Sequence, residues 1–349
     1  MGPRPCRIAA LALVLAVSAS LRAGQDETDA FINAEMARQR IPGLSLAIIK
    51  DGRIVKSQGY GLADRDRRIA AMPATVYKIA SVSKQFIATG IVLLAQQGQL
   101  GLDDSIGTYL EGAPAAWKPI TIRHLLTHTS GLIREGPAFN PSKVQSDAEV
   151  VRSAYARPLE FPPGRKWLYS NTGYFALAEI IRNVSGQPWT DYLADNVFTP
   201  SGMTHTFPTN SRAAVSNRAV GYVDNDRLLV APEWPALRPS GAFISTVLDL
   251  AKWDAMLDAD KILSADSRTQ MWTPVVLSDG TTHPYGFGWQ LAPSNGQPRV
   301  YHTGGMPGAR AAFVKFPKQR LTIIALMNLD DVDIESIIGG LAALHLPPR

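Results

Sequence analysis

Ser81-Val82-Ser83-Lys84, Tyr169-Ser170-Asn171 and His302-Thr303-Gly304 stand in this order along a chain of 349 residues, and their reading decides the fold. Residues three apart on a helix are neighbours, so Ser-x-x-Lys at a helix start puts a hydroxyl and an amine on one face, where the amine can take the hydroxyl's proton. Tyr169 and Asn171, two residues apart, reach the same side of an extended segment and bring a second proton carrier together with an amide donor. Thr303 and Gly304 supply a hydroxyl and a strand edge free of side chain, against which an acyl group can lie. Together the segments describe a serine acyl-transfer site. Singly they are weaker, since about one Ser-x-x-Lys is expected by chance in a chain of this composition. Context decides: Ser81 follows Tyr77-Lys78-Ile79-Ala80 and opens the apolar run Phe86, Ile87, Ile91, Val92, Leu93, Leu94, which predicts a buried helix ending at Gly98. At such a helix start, free N–H groups and the dipole favour developing negative charge.

Further segments accompany these motifs: Gly59-Tyr60-Gly61-Leu62-Ala63-Asp64, Leu125-Leu126-Thr127-His128-Thr129-Ser130-Gly131-Leu132, Phe161-Pro162-Pro163-Gly164 and Tyr285-Gly286-Phe287-Gly288-Trp289. In this series the chain resembles the class C β-lactamase and penicillin-binding-protein superfamily, which includes D,D-peptidases, D-aminopeptidases and serine esterases. The likeness runs from Phe31 to Asn328. It implies a β-lactamase/transpeptidase-like fold and an acyl-enzyme mechanism with no cofactor and no metal.

Composition bounds the alternatives. A content of 46% hydrophobic and 19% charged residues predicts a large core and argues against disorder. Arg4 and Arg7 precede the apolar run Ile8 to Val17, too short to span a bilayer, and small residues follow up to Ala23. Residues 1–23 therefore read as a secretory signal peptide, which predicts a periplasmic or secreted protein with no stable membrane span after cleavage; an uncleaved anchor is the competing reading. Cys6, the only cysteine, lies within that segment, so disulfides, a cysteine nucleophile and cysteine zinc sites are excluded from the mature chain. The formal charge of +5 falls to +2 when Arg4, Arg7 and Arg22 leave with the signal. No Lys/Arg-rich run remains, and nucleic-acid binding loses its electrostatic support.

Asp29 to Gln39 has helical spacing. Leu44 to Ile49, the turn Asp51-Gly52 and Arg53 to Gln58 predict a hairpin. The far end repeats the pattern, with a strand through Val300 to Thr303, a hairpin of Ala311 to Phe316 and Leu321 to Met327, and a helix over Ile334 to Leu346. In the middle, helices are expected over Ile122 to His128, Tyr174 to Val184, Tyr192 to Val197 and Leu248 to Leu257. The expected architecture is α+β: a three-layer α/β/α arrangement whose antiparallel sheet is built from both termini, plus an inserted mainly helical subdomain. The hydrolase domain then covers residues 24–349, with the sheet subdomain in 24–100 and 241–349 and the helical one in about 101–240. A site between the two would draw Ser81 from a core helix, Tyr169 and Asn171 from the helical side and residues 302–305 from a strand.

Ser81 is the candidate nucleophile, though a serine there could merely cap a helix. A serine hydroxyl needs a base near neutral pH. Lys84 can serve if burial lowers its pKa, and Tyr169 can serve if a nearby ammonium favours the phenolate; the sequence leaves the two open. Tyr169 could also be core beside Trp167 and Phe175. Asn171 is expected to orient the substrate and to hydrogen-bond Lys84, and the backbone N–H groups of Ser81 and Gly305 are the expected oxyanion hole. Gly304-Gly305 could otherwise serve only a turn or bulge. His302, Thr303, Gly304 and Asn171 are the expected substrate-binding positions. The resemblance implies lysine where His302 stands in the β-lactamases, as a cation for the carboxylate of β-lactams and of D-Ala-D-Ala. An unperturbed histidine, mostly neutral above about pH 6.5, is a weaker and pH-dependent anchor, closer to the esterase and aminopeptidase branches. His124 and His128, four apart, lack the glutamate of a zinc-protease helix.

Three functional readings follow: a serine hydrolase acting on a small ester, a D-amino-acid amide or a peptidoglycan-derived peptide; a β-lactamase proper; or a binder of cell-wall fragments or β-lactams that stalls after acylation. Intact Ser81, Lys84, Tyr169 and Asn171 argue against the last, since a binder has no physical need for all four.

Overall fold

Strands from the two ends of the chain meet in one sheet. The computed structural model describes residues 27–208, 215–224, 226–236, 238–294 and 296–346, so the signal expected at 1–23 lies outside the described residues. A helix over residues 27–39 (α1) leads into β1 (Gly43–Lys50), β2 (Arg53–Asp64) and the short β3 (Ile69–Ala70). The C-terminal part adds β4 (Val300–Met306), β5 (Ala309–Phe316) and β6 (Leu321–Met327), followed by a helix over Ile334–His345. The order across the six-stranded sheet is β4-β5-β6-β1-β2-β3, antiparallel throughout. Asp51 and Gly52 turn the first hairpin with φ of 51° and 74°, both left-handed as a two-residue turn between twisted strands requires.

β6 pairs with β1, and all seven of its residues are buried, because it has a core on each face. Side chains alternate across a strand. Ile324 and Leu326 join Ala47, Ile49 and Phe313 on one face, toward the helix Lys84–Gln96 (α2). Ile323, Ala325 and Met327 join Leu46, Ile48 and Val314 on the other, toward α1 and the C-terminal helix. The result is the expected α/β/α arrangement.

α2 carries Phe86, Ile87, Ile91 and Leu94 through the larger core. The helix Asn171–Ser185 (α3) crosses it where Gly90 leaves room: a Cβ there would lie 3.0 Å from the Ile181 side chain. α3 starts earlier than expected because Ser170 is its cap, its hydroxyl accepting the Gly173 N–H. The helix Ile122–Leu126 is shorter than expected, since His128 takes a left-handed φ of 60°. The helix expected over Tyr192 to Val197 is split into Trp189–Leu193 and a wider turn over Ala194–Phe198.

Part of the stretch expected within the helical subdomain lies against the sheet. Val220 and Tyr222 donate their N–H groups to Ala63 O and Asn328 O, each at 2.8 Å. Asn328, just past β6, is the cause: its buried amide donates to the carbonyls of Leu62, Ala63 and Val220 and gathers three segments.

A helix over Val247–Asp258 (α4) is fixed to the sheet by buried charge. Lys315 of β5 reaches Asp254 at 2.8 Å and Asp258 at 2.9 Å, while the Thr322 hydroxyl donates to Asp254 at 2.7 Å. The Lys315 and Asp254 side chains are 5% and 3% exposed, so removing one partner strands the other's charge. Lys315→Ala is expected to cost about 3–5 kcal/mol in urea unfolding, with Lys315→Met combined with Asp254→Leu recovering most of it. A single-mutant cost near zero would show that this cluster does not hold α4.

Candidate active site

Ser81 does not sit on α2 itself. It lies in a tight 3-10 turn, Ala80–Ser83, that feeds α2, and Lys84 is the first residue of α2. Ala80 enters the turn with φ of 46°, a conformation costly for a residue with a Cβ. The surroundings hold it there. Ile79 donates to Phe243 O at 3.0 Å, the Phe243 N–H reaches Ser83 Oγ at 3.3 Å, and the Ser83 hydroxyl closes onto Ala80 O at 2.5 Å. Ser83 is thereby spent on structure, which leaves Ser81 as the free hydroxyl of the turn.

The Lys84 side chain is fully buried. Its Nζ lies 2.7 Å from Ser240 O, 2.9 Å from Asn171 Oδ1 and 3.3 Å from Ser81 Oγ. Burial, followed by the nearby Arg238 and Arg134 charges, holds the amine well below the usual lysine range against the opposing pull of Glu135. A neutral amine has two N–H bonds and one lone pair. The two carbonyl-type acceptors take the N–H bonds, and the lone pair is left for the Ser81 hydroxyl.

Tyr169 lies beside Ser81 and Lys84, with its ring centroid 4.7 Å from Lys84 Nζ. Burial pushes its phenol up to about 12, against the lowering effect of its hydrogen bond with Ser81 and of the Arg134 and Arg238 charges. Asn171, at the start of α3, also donates its Nδ2 to Glu135 Oε1, which takes Arg238 Nη2 at 3.0 Å as well. These groups frame a cavity of about 210 Å3 that includes Ser81, Tyr169, Asn171 and Gly305 among its lining residues.

His302, Thr303 and Gly304 do not line it. His302, expected to be a pH-dependent carboxylate anchor, is 1% exposed and lies in a polar chain behind the cavity. The Ser170 N–H donates to His128 Nδ1 at 3.2 Å, so His128 carries its proton on Nε2 and gives it to the Tyr285 oxygen at 3.2 Å. His302 Nδ1 lies 2.6 Å from Thr303 O, a pure acceptor, so that nitrogen carries the proton. The Tyr285 hydroxyl then donates to His302 Nε2 at 3.1 Å. Burial, with Lys84 next in effect, pushes His302 down to about 3, and His128 also lies well below its usual range by burial and the same charge. His302 is neutral throughout the ordinary pH range and offers a substrate no charge.

Thr303 falls on the opposite face of β4 from His302, with Tyr301. Gly304 has a packing role: a Cβ there would lie 2.3 Å from Ile79 O and 3.0 Å from Ser81 N, so only glycine lets the strand pass against the nucleophile turn. His124 accepts the Thr121 N–H in a helix cap, apart from the His128 chain.

Sequence reasoning did not find Arg134, Glu135, Arg238, Ser240 or the part played by Tyr285. Arg134 and Glu135 closely follow the quoted Gly131-Leu132, and Tyr285 opens the quoted Tyr285-Gly286-Phe287-Gly288-Trp289, so both places were marked without their chemistry. Arg238 and Ser240 come from a Pro-rich loop with no pattern to read.

Fold and site geometry are those of a β-lactamase/transpeptidase-like serine hydrolase. The comparison with known families makes this specific: residues 28–338 match the Beta-lactamase family model, and the chain belongs to that family. It is similar to penicillin-binding protein 4* of Bacillus subtilis, 32% identical over 310 residues that cover 82% of this chain and 68% of that protein. Protein flp of Staphylococcus aureus is 29% identical over 332 residues, covering 91% and 66%. The chain thus spans about two thirds of the length of these curated relatives. The octameric penicillin-binding protein homologue from Pyrococcus abyssi superposes with a TM-score of 0.79 at 29% identity, over 92% of this chain and 76% of that one. D-amino acid amidase from Ochrobactrum anthropi SV3 shares the fold with a TM-score of 0.79 at 24% identity, over 92% and 96% of the two chains.

Gly304→Ala must push β4 off the nucleophile turn and is expected to cut ester turnover about a hundredfold, as misplacement of about 1 Å does. An unchanged rate would show that the turn tolerates the shift. Tyr285→Phe strands a donor on His128 and an acceptor on His302, and is expected to lose about 1–3 kcal/mol for each in denaturant unfolding.

Proposed function

We propose that the protein is an exported serine hydrolase that forms an acyl-enzyme on Ser81 and acts on a small ester, a D-amino-acid amide or a peptidoglycan-derived peptide. The observation that carries this reading is the Lys84 amine, buried, depressed in pKa and bonded to two carbonyl acceptors, with its lone pair left for Ser81. Lys84 takes the Oγ proton as Oγ attacks the substrate carbonyl, and the oxyanion is held by the N–H groups of Ser81 and Gly305. The carbonyl re-forms as the leaving group departs with a proton passed from Lys84 through Tyr169, whose own phenol holds its proton up to about pH 12. Water then enters by the reverse proton path and frees Ser81. Asn171 orients Lys84 and meets the substrate's polar edge. On this reading residues 1–23 direct export, and the cavity lies between the sheet part, 24–100 with 241–349, and the helical part at about 101–240.

The class C β-lactamase reading has less support, because a neutral imidazole stands where such enzymes carry lysine. The binder reading leaves the Lys84 arrangement without a purpose.

A fluorophosphonate probe is expected to label the peptide containing Ser81, and Ser81→Ala to abolish labelling; label on Ser83 or Ser130 would overturn the assignment. Protonated Lys84 has no lone pair, so kcat/KM should rise with pH through the depressed Lys84 pKa and level off well below the usual lysine range. Lys84→Ala should remove about 10²- to 10⁴-fold of the rate. Tyr169→Phe should lower the rate with the acid limb in place. A limb that moves with Tyr169 would make Tyr169 the base.

A further inference from the structure

The cavity holds more positive than negative charge. Arg238 and Glu135 form an ion pair at 3.0 Å and largely cancel. Burial favours the neutral form of Lys84. Arg134 remains: its guanidinium lies 5.3 Å from the Tyr169 ring centroid and lines the same cavity as Ser81, and among the described residues no carboxylate pairs with it. Its backbone is fixed, since Arg134 O accepts the N–H groups of Asn171 at 2.8 Å and Thr172 at 3.2 Å. The side chain therefore springs from a backbone held at the start of α3 and lines the cavity together with Gly305 and Met306 of β4. A planar guanidinium with its donors free is built for a carboxylate.

Resting on the serine-hydrolase reading above, we infer that Arg134 reads an anionic substituent of the acyl substrate, and that this helical wall, not the His302 strand, decides whether a charged substrate is preferred. The negative group can sit on the acyl portion or on the leaving group. Both present the same carboxylate chemistry.

Two pairs of esters separate these sources: p-nitrophenyl hydrogen glutarate against p-nitrophenyl butyrate, and 4-acetoxybenzoate against its methyl ester. Wild-type enzyme is expected to favour the charged member of at least one pair in kcat/KM. Arg134→Gln should reduce that preference about tenfold, the scale of one charge-assisted contact, and Arg134→Lys should keep much of it. The Arg134 carbonyl that caps α3 is present in every variant. The ratio within a pair removes any general loss of activity. A wild type with no preference in either pair, or a preference that survives Arg134→Gln, overturns the inference. Failure of the fluorophosphonate to label Ser81 overturns the underlying reading instead; label on Ser81 with a flat ratio overturns only the role of Arg134.

Discussion

A lysine amine taken out of water with no carboxylate to receive it is the constraint around which this site is arranged. Among the described residues Lys84 has no ion-pair partner, and a buried ammonium so placed would cost far more than any nearby contact returns. Burial therefore favours the neutral form of the amine, and its N–H groups must still find acceptors. Asn171 and Ser240 supply them from two segments far apart in sequence, so the start of α3 and the loop ahead of Phe243 converge on the start of α2. What keeps Lys84 satisfied is also what gives it a direction toward Ser81. Packing demand and chemistry here are one arrangement.

Much of this was legible in the sequence because it rests on local spacing. The Asp51-Gly52 hairpin, the apolar period of α2, the Ser-x-x-Lys turn and the Tyr-x-Asn pair each report on neighbours a few residues away. What could not be read depends on burial and on long-range pairing. His302 looked like a titratable ligand because a sequence carries histidine's usual pKa and not its surroundings; enclosed by Tyr285 and the Thr303 carbonyl, it is neither charged nor in reach. Ser81 was expected on the helix, and one left-handed residue, Ala80, places it a turn earlier. Arg134 and Arg238 carry no periodic signal and meet only because separate loops close over the same cavity.

The polar chain through His128, Tyr285 and His302 gives the site rigidity. It joins the segment ahead of Asn171, the loop at Tyr285 and the strand that carries Gly305, and every proton in it has one allowed position. Two uncharged imidazoles next to Lys84 also avoid a cluster of buried cations. A lysine at position 302 would have to share that space with the first.

The place of β6 in the sheet has a consequence for the timing of folding. β1 and β2 are neighbours in sequence, but the strand that closes the other edge of β1 arrives only with Leu321–Met327, after the whole of the intervening chain has been made. Until then β1 offers an unpaired, almost wholly apolar edge, and neither core can close. A nascent chain can pair β1, β2 and β3 locally, yet the sheet stays incomplete until β6 joins. The edge of β1 must stay unpaired or be shielded until that strand has been made.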